Sequence, residues 1–422
     1  MDAPPPPPGS TQNVPDHRDR FVVLGLESTC DETAAAVVAF DGGKTAGARP
    51  QILGECIASQ IALHAPFRGV APEAAARAHT EVFSRVVAAA LDQAGVRFAD
   101  LRGIAVSRSP GLVGCLLTGL TVAKTLSWRL QIPWVGVDHI QAHIHAAYLA
   151  APTGAPGSSG STGSSGDSGR PADADALGDA LGDAPHVALV VSGGHTALYR
   201  VADRATAPDL IGCTRDDAAG EAFDKVAALL GLPYPGGPAI EAAAREGNPR
   251  AFDFPRSKLH DADDDFSFSG LKTAVLYGLR GSQGKPGPAA TVGIGRVLSA
   301  REIADCAASF QAAACEVLVG KTLRAARRLG LQHVSVGGGV ACNGRLRELF
   351  AAAAAKEGIT VVFPPKRYCT DNAVMVALLG APRLLRGERD PFATDVDPTP
   401  VRRRVTRAPA MAEPSKSGQE DG

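Results

Sequence analysis

Residues 186–201 read HVALVVSGGHTALYRV, in which an apolar, β-branched run leads into a short polar turn and then into a second such run. This pattern predicts two strands joined by a tight turn. The same pattern occurs earlier, at residues 21–40, where Phe21 to Glu27 and Ala34 to Phe40 flank another polar turn. One supersecondary unit used twice predicts two similar halves that face each other across a cleft.

The two turns differ in the chemistry that they present. The first, STCDET at residues 28–33, carries hydroxyls and the carboxylates of Asp31 and Glu32, which suit a phosphate or its metal. An ordinary hairpin turn is the alternative for this segment. The second, SGGHT at residues 192–196, is glycine-rich, so it can lend backbone N–H groups to an acyl or phosphate oxygen.

Length and composition limit the class of protein. A chain of 422 residues with 45% hydrophobic and 21% charged residues exceeds what one compact core usually holds, so we expect two lobes. Its net charge of −1 gives no overall attraction to nucleic acid, so such a partner needs a local basic patch or a second protein. Eight scattered cysteines and the absence of a leading hydrophobic segment predict a cytoplasmic protein, and no apolar run is long enough to predict a membrane span.

Composition also predicts the domain boundaries. We assign residues 21–150 to the first lobe and 186–371 to the second, and a helix at about 372–388 completes the first lobe. The remaining segments are poor in apolar residues and comprise a disordered leader at 1–20, a Gly/Ser-rich insertion at 151–185, a flexible loop at 281–297 and a disordered basic tail at 389–422.

A pair of histidines is the first candidate site. They follow the predicted strand that ends at Val137, and His139 and His143 are four residues apart on the helix that begins there, so their side chains share a face. His145 points elsewhere. Two imidazoles one turn apart can hold a divalent metal, and Asp371 in a distant loop offers a third ligand. Two histidines that merely pack are the alternative.

Two further segments are candidates for nucleoside binding. Asp224 lies on a predicted helix and Gly237 at the start of the next, where both could border a nucleoside; the alternative is that Asp224 and Lys225 form a solvated helix face. A triple-glycine turn at 337–339 lets a flat ring lie against the backbone, with the amide of Asn343 within reach.

Together these motifs resemble one known family. The segments LGLESTCDET, SPGLVG, HIQAH, VSGGHT, DDAAGEAFDK, YPGGP, DFSFSGLKT, GGGVACN and CTDNA are similar, in the same order, to those of bacterial tRNA N6-adenosine threonylcarbamoyltransferases, formerly called O-sialoglycoprotein endopeptidases. The resemblance covers about residues 21–388 outside the insertions. It implies the α/β fold of the actin/Hsp70/sugar-kinase superfamily, with two RNase-H-like lobes around a central cleft.

The resemblance also implies roles for individual residues. The metal ligands would be His139, His143 and Asp371, with Fe2+ expected and Zn2+ or Mg2+ as alternatives. Asp31 and Glu32 match an acidic pair that takes part in catalysis. The residues that would bind threonylcarbamoyl-adenylate are Val191, Ser192, Gly193, Gly194, His195, Asp224, Gly237 and Asn343.

The implied reaction is transfer of threonylcarbamoyl from its adenylate to N6 of adenosine 37 in tRNAs that read codons beginning with A, with release of AMP. The implied accessory subunits are an inactive paralogue of the same fold and a small P-loop ATPase. A kinase or chaperone-like ATPase of the same superfold is the alternative, and a pure binding module is a third. A metalloprotease is rejected because Ile140, Gln141 and Ala142 stand between the histidines, whereas H-E-x-x-H needs a carboxylate there.

Overall fold

The computed structural model of the protein describes residues 20–41, 50–67, 69–150, 180–259, 261–280 and 297–399. Most of the predicted leader, insertion, loop and basic tail lies outside these residues. Within them, ten strands form two five-stranded sheets.

The first sheet has the strand order β3-β2-β1-β4-β5. Its strands are β1 (Arg20–Glu27), β2 (Glu32–Asp41), β3 (Pro50–Ser59), β4 (Gly103–Ser109) and β5 (Trp134–Asp138). The helices that follow these strands are α1 (Ile61–His64), α2 (Pro72–Ala94), α3 (Val113–Leu130) and α4 (His139–Ala146). Apolar side chains of α2 and α3 cover one face of the sheet, and those of α4 and of the last helix, at 373–385, cover the other. The central strands are therefore apolar on both sides.

The second sheet has the order β10-β9-β6-β7-β8. Its strands are β6 (His186–Val191), β7 (Thr196–Val201), β8 (Asp209–Cys213), β9 (His333–Gly337) and β10 (Thr360–Val362). The later helices are α5 (Ala219–Leu229), α6 (Gly236–Ala244), α7 (Ser269–Arg280), α8 (Ala300–Leu329), α9 (Gly344–Glu357) and α10 (Ala373–Leu385). By length and composition α8 could cross a membrane, but 72% of its most apolar window is buried inside the protein, in the core of this lobe.

The two sheets have the same topology. In each, the first strand pairs antiparallel with the second and parallel with the fourth, and the second pairs antiparallel with the third. The duplication predicted from the two hairpins is therefore confirmed, and with it the two-lobed α/β fold. The edge strands β3 and β8 were not predicted, because partly exposed edge strands lack a strong apolar pattern.

The histidine helix α4 lies between the two sheets. Ala142 and Ala146 pack in the core beneath the first sheet, whereas Ile140 and Ile144 pack against β6 and β7 of the second. A helix that is apolar on two sides is buried on both. This packing fixes where the histidines point.

Helix α10 returns from the second lobe and packs on the first sheet, so it ties Asp371 to both lobes. The contact is close because Gly25 on β1 has no side chain: a Cβ there would overlap the carbonyl oxygen of Ala373. The glycine thus allows the first turn of α10 to touch the sheet directly.

We expect Gly25→Ala to destabilise the protein by about 1–3 kcal/mol, because the added methyl must push α10 away from β1. Gly270→Ala is the matched control, since the nearest atom to a Cβ there is 3.9 Å away and alanine favours helix. Denaturant melts of both variants measure the difference. Equal stability of the two would contradict the close packing of α10.

Residues 389–399 correct one part of the domain prediction. They were assigned to the disordered tail, yet Asp390 accepts a hydrogen bond from the Gly136 amide at 2.7 Å, and the Asp397 amide donates to the Arg108 carbonyl at 2.9 Å. Val396 packs against the core of the first lobe. The segment lacks periodicity because it is held by individual contacts rather than by a helix or strand.

Candidate metal centre and the cleft around it

The two histidines and Asp371 converge, as predicted. Asp371 Oδ1 lies 3.0 Å from His143 Nε2 and 3.6 Å from His139 Nε2, and one ligand atom from each residue lies within 4.8 Å of the other two. Local structure sets up the pair: Asp138 caps α4 by accepting the Gln141 amide at 2.9 Å, so the helix begins at His139.

His145 belongs to a different environment. Its Nδ1 lies 3.0 Å from the Gln141 carbonyl oxygen and its Nε2 lies 3.3 Å from the Arg204 carbonyl oxygen. Both ring nitrogens therefore face backbone carbonyl oxygens and not Asp371. Of the three histidines of α4, only His139 and His143 face Asp371.

The electrostatics of the cluster suit a cation. Burial lowers the pKa of His139, but the carboxylates of Glu27 and Asp371 outweigh it and raise that pKa to about 9. Burial would raise the pKa of Asp371, yet His139 and His143 hold it well below its usual range. Two buried imidazole nitrogens and one partly buried carboxylate oxygen that converge are a donor set that fits Fe2+ or Zn2+ and suits Mg2+ less well.

The acidic turn of the first hairpin lies close to this cluster. It is held by His79 of α2, whose Nδ1 lies 2.7 Å from Thr33 Oγ1 and whose Nε2 lies 3.1 Å from the Cys30 carbonyl oxygen. Burial, together with the negative charges of Asp371 and Asp31, raises the pKa of Glu32 to about 10. A divalent cation at the ligands would lower this pKa and favour the carboxylate.

The glycine-rich turn of the second hairpin approaches from the other lobe. Burial and the neighbouring His139 and His143 lower the pKa of His195 to about 4, so this imidazole is neutral beside the cluster. Gly193 and Gly194 are exposed, and a Cβ at either would meet no atom within 4 Å. The turn therefore presents open backbone next to the ligands, as an oxyanion or phosphate requires.

Asp224 is not part of a solvated helix face. Its Oδ1 accepts the Gly236 amide at 2.7 Å, whereas Lys225 pairs with Asp217 and Glu221. Asp224 lines a cavity of about 430 Å³ together with Tyr234, Gly236 and, from the first lobe, Ala65. Gly237 follows Gly236 at the start of α6, and a Cβ at Gly237 would meet no atom within 4 Å.

The triple-glycine turn at 337–339 was expected to let a flat ring lie against the backbone, but two of its glycines are required by close packing inside the protein. Gly338 has φ of 93°, and a Cβ there would overlap the Val191 carbonyl oxygen. A Cβ at Gly337 would lie 2.7 Å from the His143 carbonyl oxygen. Two of the three glycines therefore allow the end of β9 to lie close to α4 and β6, whereas a Cβ at Gly339 would make only an ordinary contact with Thr370 Cγ2 at 3.9 Å.

Asn343 has a different role from the predicted contact with adenosine. Its Oδ1 accepts the Leu346 amide at 3.0 Å, which caps α9, and its Nδ2 donates to Gln311 Oε1 at 2.8 Å. The side chain is 6% exposed. Both amide atoms are thus engaged inside the protein, and Asn343 caps and stabilises α9.

Asn343→Ala is accordingly expected to lower the free energy of unfolding by about 1–2 kcal/mol, since it removes an N-cap and leaves Gln311 without this donor. Asn343→Asp, which keeps the capping oxygen, serves as the control and should lose less. Thermal melts measure both, beside calorimetric binding of a non-hydrolysable adenylate analogue. A tenfold weaker affinity with unchanged stability would restore the recognition role.

Sequence analysis missed one residue of the centre, Glu27. It is fully buried at the end of β1, with Oε2 3.0 Å from His139 Nδ1. The available signal was a carboxylate that ends an otherwise apolar strand, since a buried charge is kept only with partners.

Comparison with known proteins gives a consistent result. A family model described as tRNA N6-adenosine threonylcarbamoyltransferase matches residues 51–163 and 172–378. A curated relative of that name from Syntrophotalea carbinolica is 47% identical over 367 residues, which are 87% of this chain and 93% of the relative. Another, from Moorella thermoacetica, is 44% identical over 89% of this chain and 96% of its own length.

Solved structures give more distant likenesses. Full-length HypF, in a phosphate- and nucleotide-bound form, is 13% identical with a TM-score of 0.49, over 87% of this chain and 56% of its own. YeaZ from Pseudomonas aeruginosa is 15% identical with a TM-score of 0.26, over 45% of this chain and 63% of its own.

Proposed function

This chain belongs to the tRNA N6-adenosine threonylcarbamoyltransferase family, and from that premise we propose how its cleft carries out the transfer of threonylcarbamoyl to N6 of adenosine 37 in tRNA. One observation carries the proposal. Two hairpin turns, one acidic and one glycine-rich, meet at His139, His143 and Asp371, whose ligand atoms lie within 4.8 Å of one another.

We propose threonylcarbamoyl-adenylate as the donor. Its acyl-phosphate would lie at the turn formed by Val191 to His195, where the backbone of Gly193 and Gly194 is exposed and open. Its nucleoside would extend toward Asp224, which lines the cavity between the lobes, and toward Gly237, which follows the lining residue Gly236. A donor that is already activated as a mixed anhydride needs positioning and charge stabilisation rather than a further activating step.

The ligands would hold Fe2+, with Zn2+ as the alternative that the same donor set accepts. When bound, a divalent metal there supplies a Lewis acid that polarises the carbonyl and favours departure of AMP. Helix α4 packs against both lobes, and this packing holds His139 and His143 in position to bind the metal. The neutral imidazole of His195 leaves the neighbouring space free of a competing positive charge.

Bond changes in the transfer are simple. The N6 lone pair forms a bond to the carbamoyl carbon, the carbon–oxygen bond to phosphate breaks, and the electron pair leaves with AMP. One N6 proton must be accepted as the bond forms, because the exocyclic amine becomes cationic. We assign this to Glu32, with Asp31 as the neighbouring candidate, since Glu32 lies within electrostatic reach of Asp371.

The test is a transfer assay with the metal-loaded protein, threonylcarbamoyl-adenylate, unmodified tRNA and the accessory subunits. Nucleosides from digested tRNA are separated and identified by mass. We expect N6-threonylcarbamoyladenosine and an equal amount of AMP. Consumption of ATP to ADP without any modified nucleoside would instead indicate a kinase or ATPase of the same superfold.

We further predict that the lone chain is a poor catalyst and depends on accessory proteins, an inactive paralogue and a small P-loop ATPase. Its net charge of −1 gives little attraction for tRNA. Helix α3 also exposes Val113, Leu117 and Trp128, at 49%, 43% and 67%, an apolar row suited to a protein partner. Omitting the partners should abolish multiple turnover, whereas rapid turnover by the lone chain would contradict this.

We place the protein in the cytoplasm, where its tRNA substrate is. All eight cysteines are free thiols, which supports a reducing compartment.

A further inference from the structure

Glu27 lies behind His139, on the side away from Asp371. It ends β1, while Ser107 lies on β4 and His139 follows β5. These three strands are parallel neighbours in the sheet, so their carboxyl ends meet at one edge. The topology therefore brings a carboxylate, a hydroxyl and an imidazole together from segments far apart in sequence.

The carboxylate of Glu27 is held by three contacts and is fully buried. Its Oε1 accepts the Thr29 amide at 2.6 Å, and its Oε2 accepts the Ser107 hydroxyl at 2.6 Å. The same Oε2 lies 3.0 Å from His139 Nδ1. These contacts fix the carboxylate in one orientation.

An imidazole that binds a metal is neutral, and because an ionised carboxylate only accepts hydrogen bonds, His139 must then carry its one proton on Nδ1. The lone pair is then left on Nε2, the atom that faces Asp371 at 3.6 Å. A carboxylate in this position also makes the imidazole a stronger ligand and stops its ring from rotating. The net charge of the metal-loaded site is consistent with this assignment. Two neutral imidazoles, the carboxylates of Glu27 and Asp371 and one divalent cation have a net charge of zero, which a buried site favours.

We propose that Glu27 is the positioning residue of the metal centre, which sets the tautomer and orientation of His139 so that Nε2 can bind the metal. This inference rests on the metal site of the proposed function. Ser107 supports it by holding Oε2 in place. Neither residue touches substrate or metal.

The test compares Co2+ binding, followed by its visible absorption, in the wild-type protein and in Glu27→Gln. Glutamine has one acceptor oxygen where Glu27 meets three donors, so it cannot satisfy them all. We expect Glu27→Gln to bind Co2+ about 10–100-fold more weakly and Ser107→Ala to lie between it and the wild type. Thermal melts test whether each variant is folded. If Glu27→Gln does not fold, the comparison with the wild type uses Ser107→Ala alone.

Asp138→Asn is the matched control. Asp138 adjoins His139 and caps the same helix, but its Oδ1 bonds the Gln141 amide rather than the ring. Affinity within twofold of the wild type is expected there, since asparagine keeps the cap. An equal loss in Asp138→Asn and Glu27→Gln would show a general charge effect and overturn the proposal.

A second measurement needs neither metal nor activity. In the metal-free protein at alkaline pH, where the His139 imidazole is neutral, 15N shifts of the imidazoles report which of its nitrogens carries the one remaining proton. We expect Nδ1–H in the wild type and a mixture of tautomers in Glu27→Gln, which a merely structural role would not produce. If the wild type binds Co2+ and Glu27→Gln binds it equally well, this inference fails and the metal site stands; if the wild type binds none, both fail.

Discussion

Replacing His143 by alanine is expected to strip the bound divalent metal from the protein. Its Nε2 lies 3.0 Å from Asp371 Oδ1 at the point where the ligand atoms converge. Changes in residues that only support a ligand already weaken metal binding about 10–100-fold, so loss of a direct ligand should exceed that. Elemental analysis after dialysis against chelator measures it, and His139→Ala should behave in the same way.

The control for this prediction is on the same helix. His145 is also a histidine of α4, but its nitrogens face the carbonyl oxygens of Gln141 and Arg204. We expect His145→Ala to lose stability, because it empties a partly buried position, and to retain its metal. Loss of metal from a folded His145→Ala protein would mean that the three-residue centre is wrong.

The second large effect is expected at Glu32. Glu32→Gln keeps the size of the side chain but removes the group that we assign to accept the N6 proton. General base catalysis contributes about 10²–10⁴-fold, so kcat in the reconstituted transfer should fall by that factor. Metal content should not change, because Glu32 is not one of the three convergent ligands.

Asp31→Asn is the matched comparison for Glu32→Gln. Both residues lie on the turn that His79 supports through the Cys30 carbonyl and Thr33, so both variants test a carboxylate on the same scaffold. We expect Asp31→Asn to slow transfer less than tenfold. The reverse order of the two effects would assign the proton to Asp31 instead.

The sequence by itself determined the features that depend on near neighbours. The two hairpins could be predicted because an apolar run, a polar turn and a second apolar run form a local pattern. The repetition of that pattern implied two lobes. The spacing of His139 and His143 placed them on one face because helical geometry needs only four residues. The order of the motifs then identified the family.

Only the tertiary structure decided which distant groups meet. Asn343 was expected to read adenosine, but its amide bonds Leu346 and Gln311. Glu27 escaped notice because its partner His139 lies 112 residues away. Local periodicity indicates which side of a helix or strand is buried. It does not indicate which side chain from another segment satisfies a buried polar group, because that pairing depends on how the ends of parallel strands and the packed helices come together.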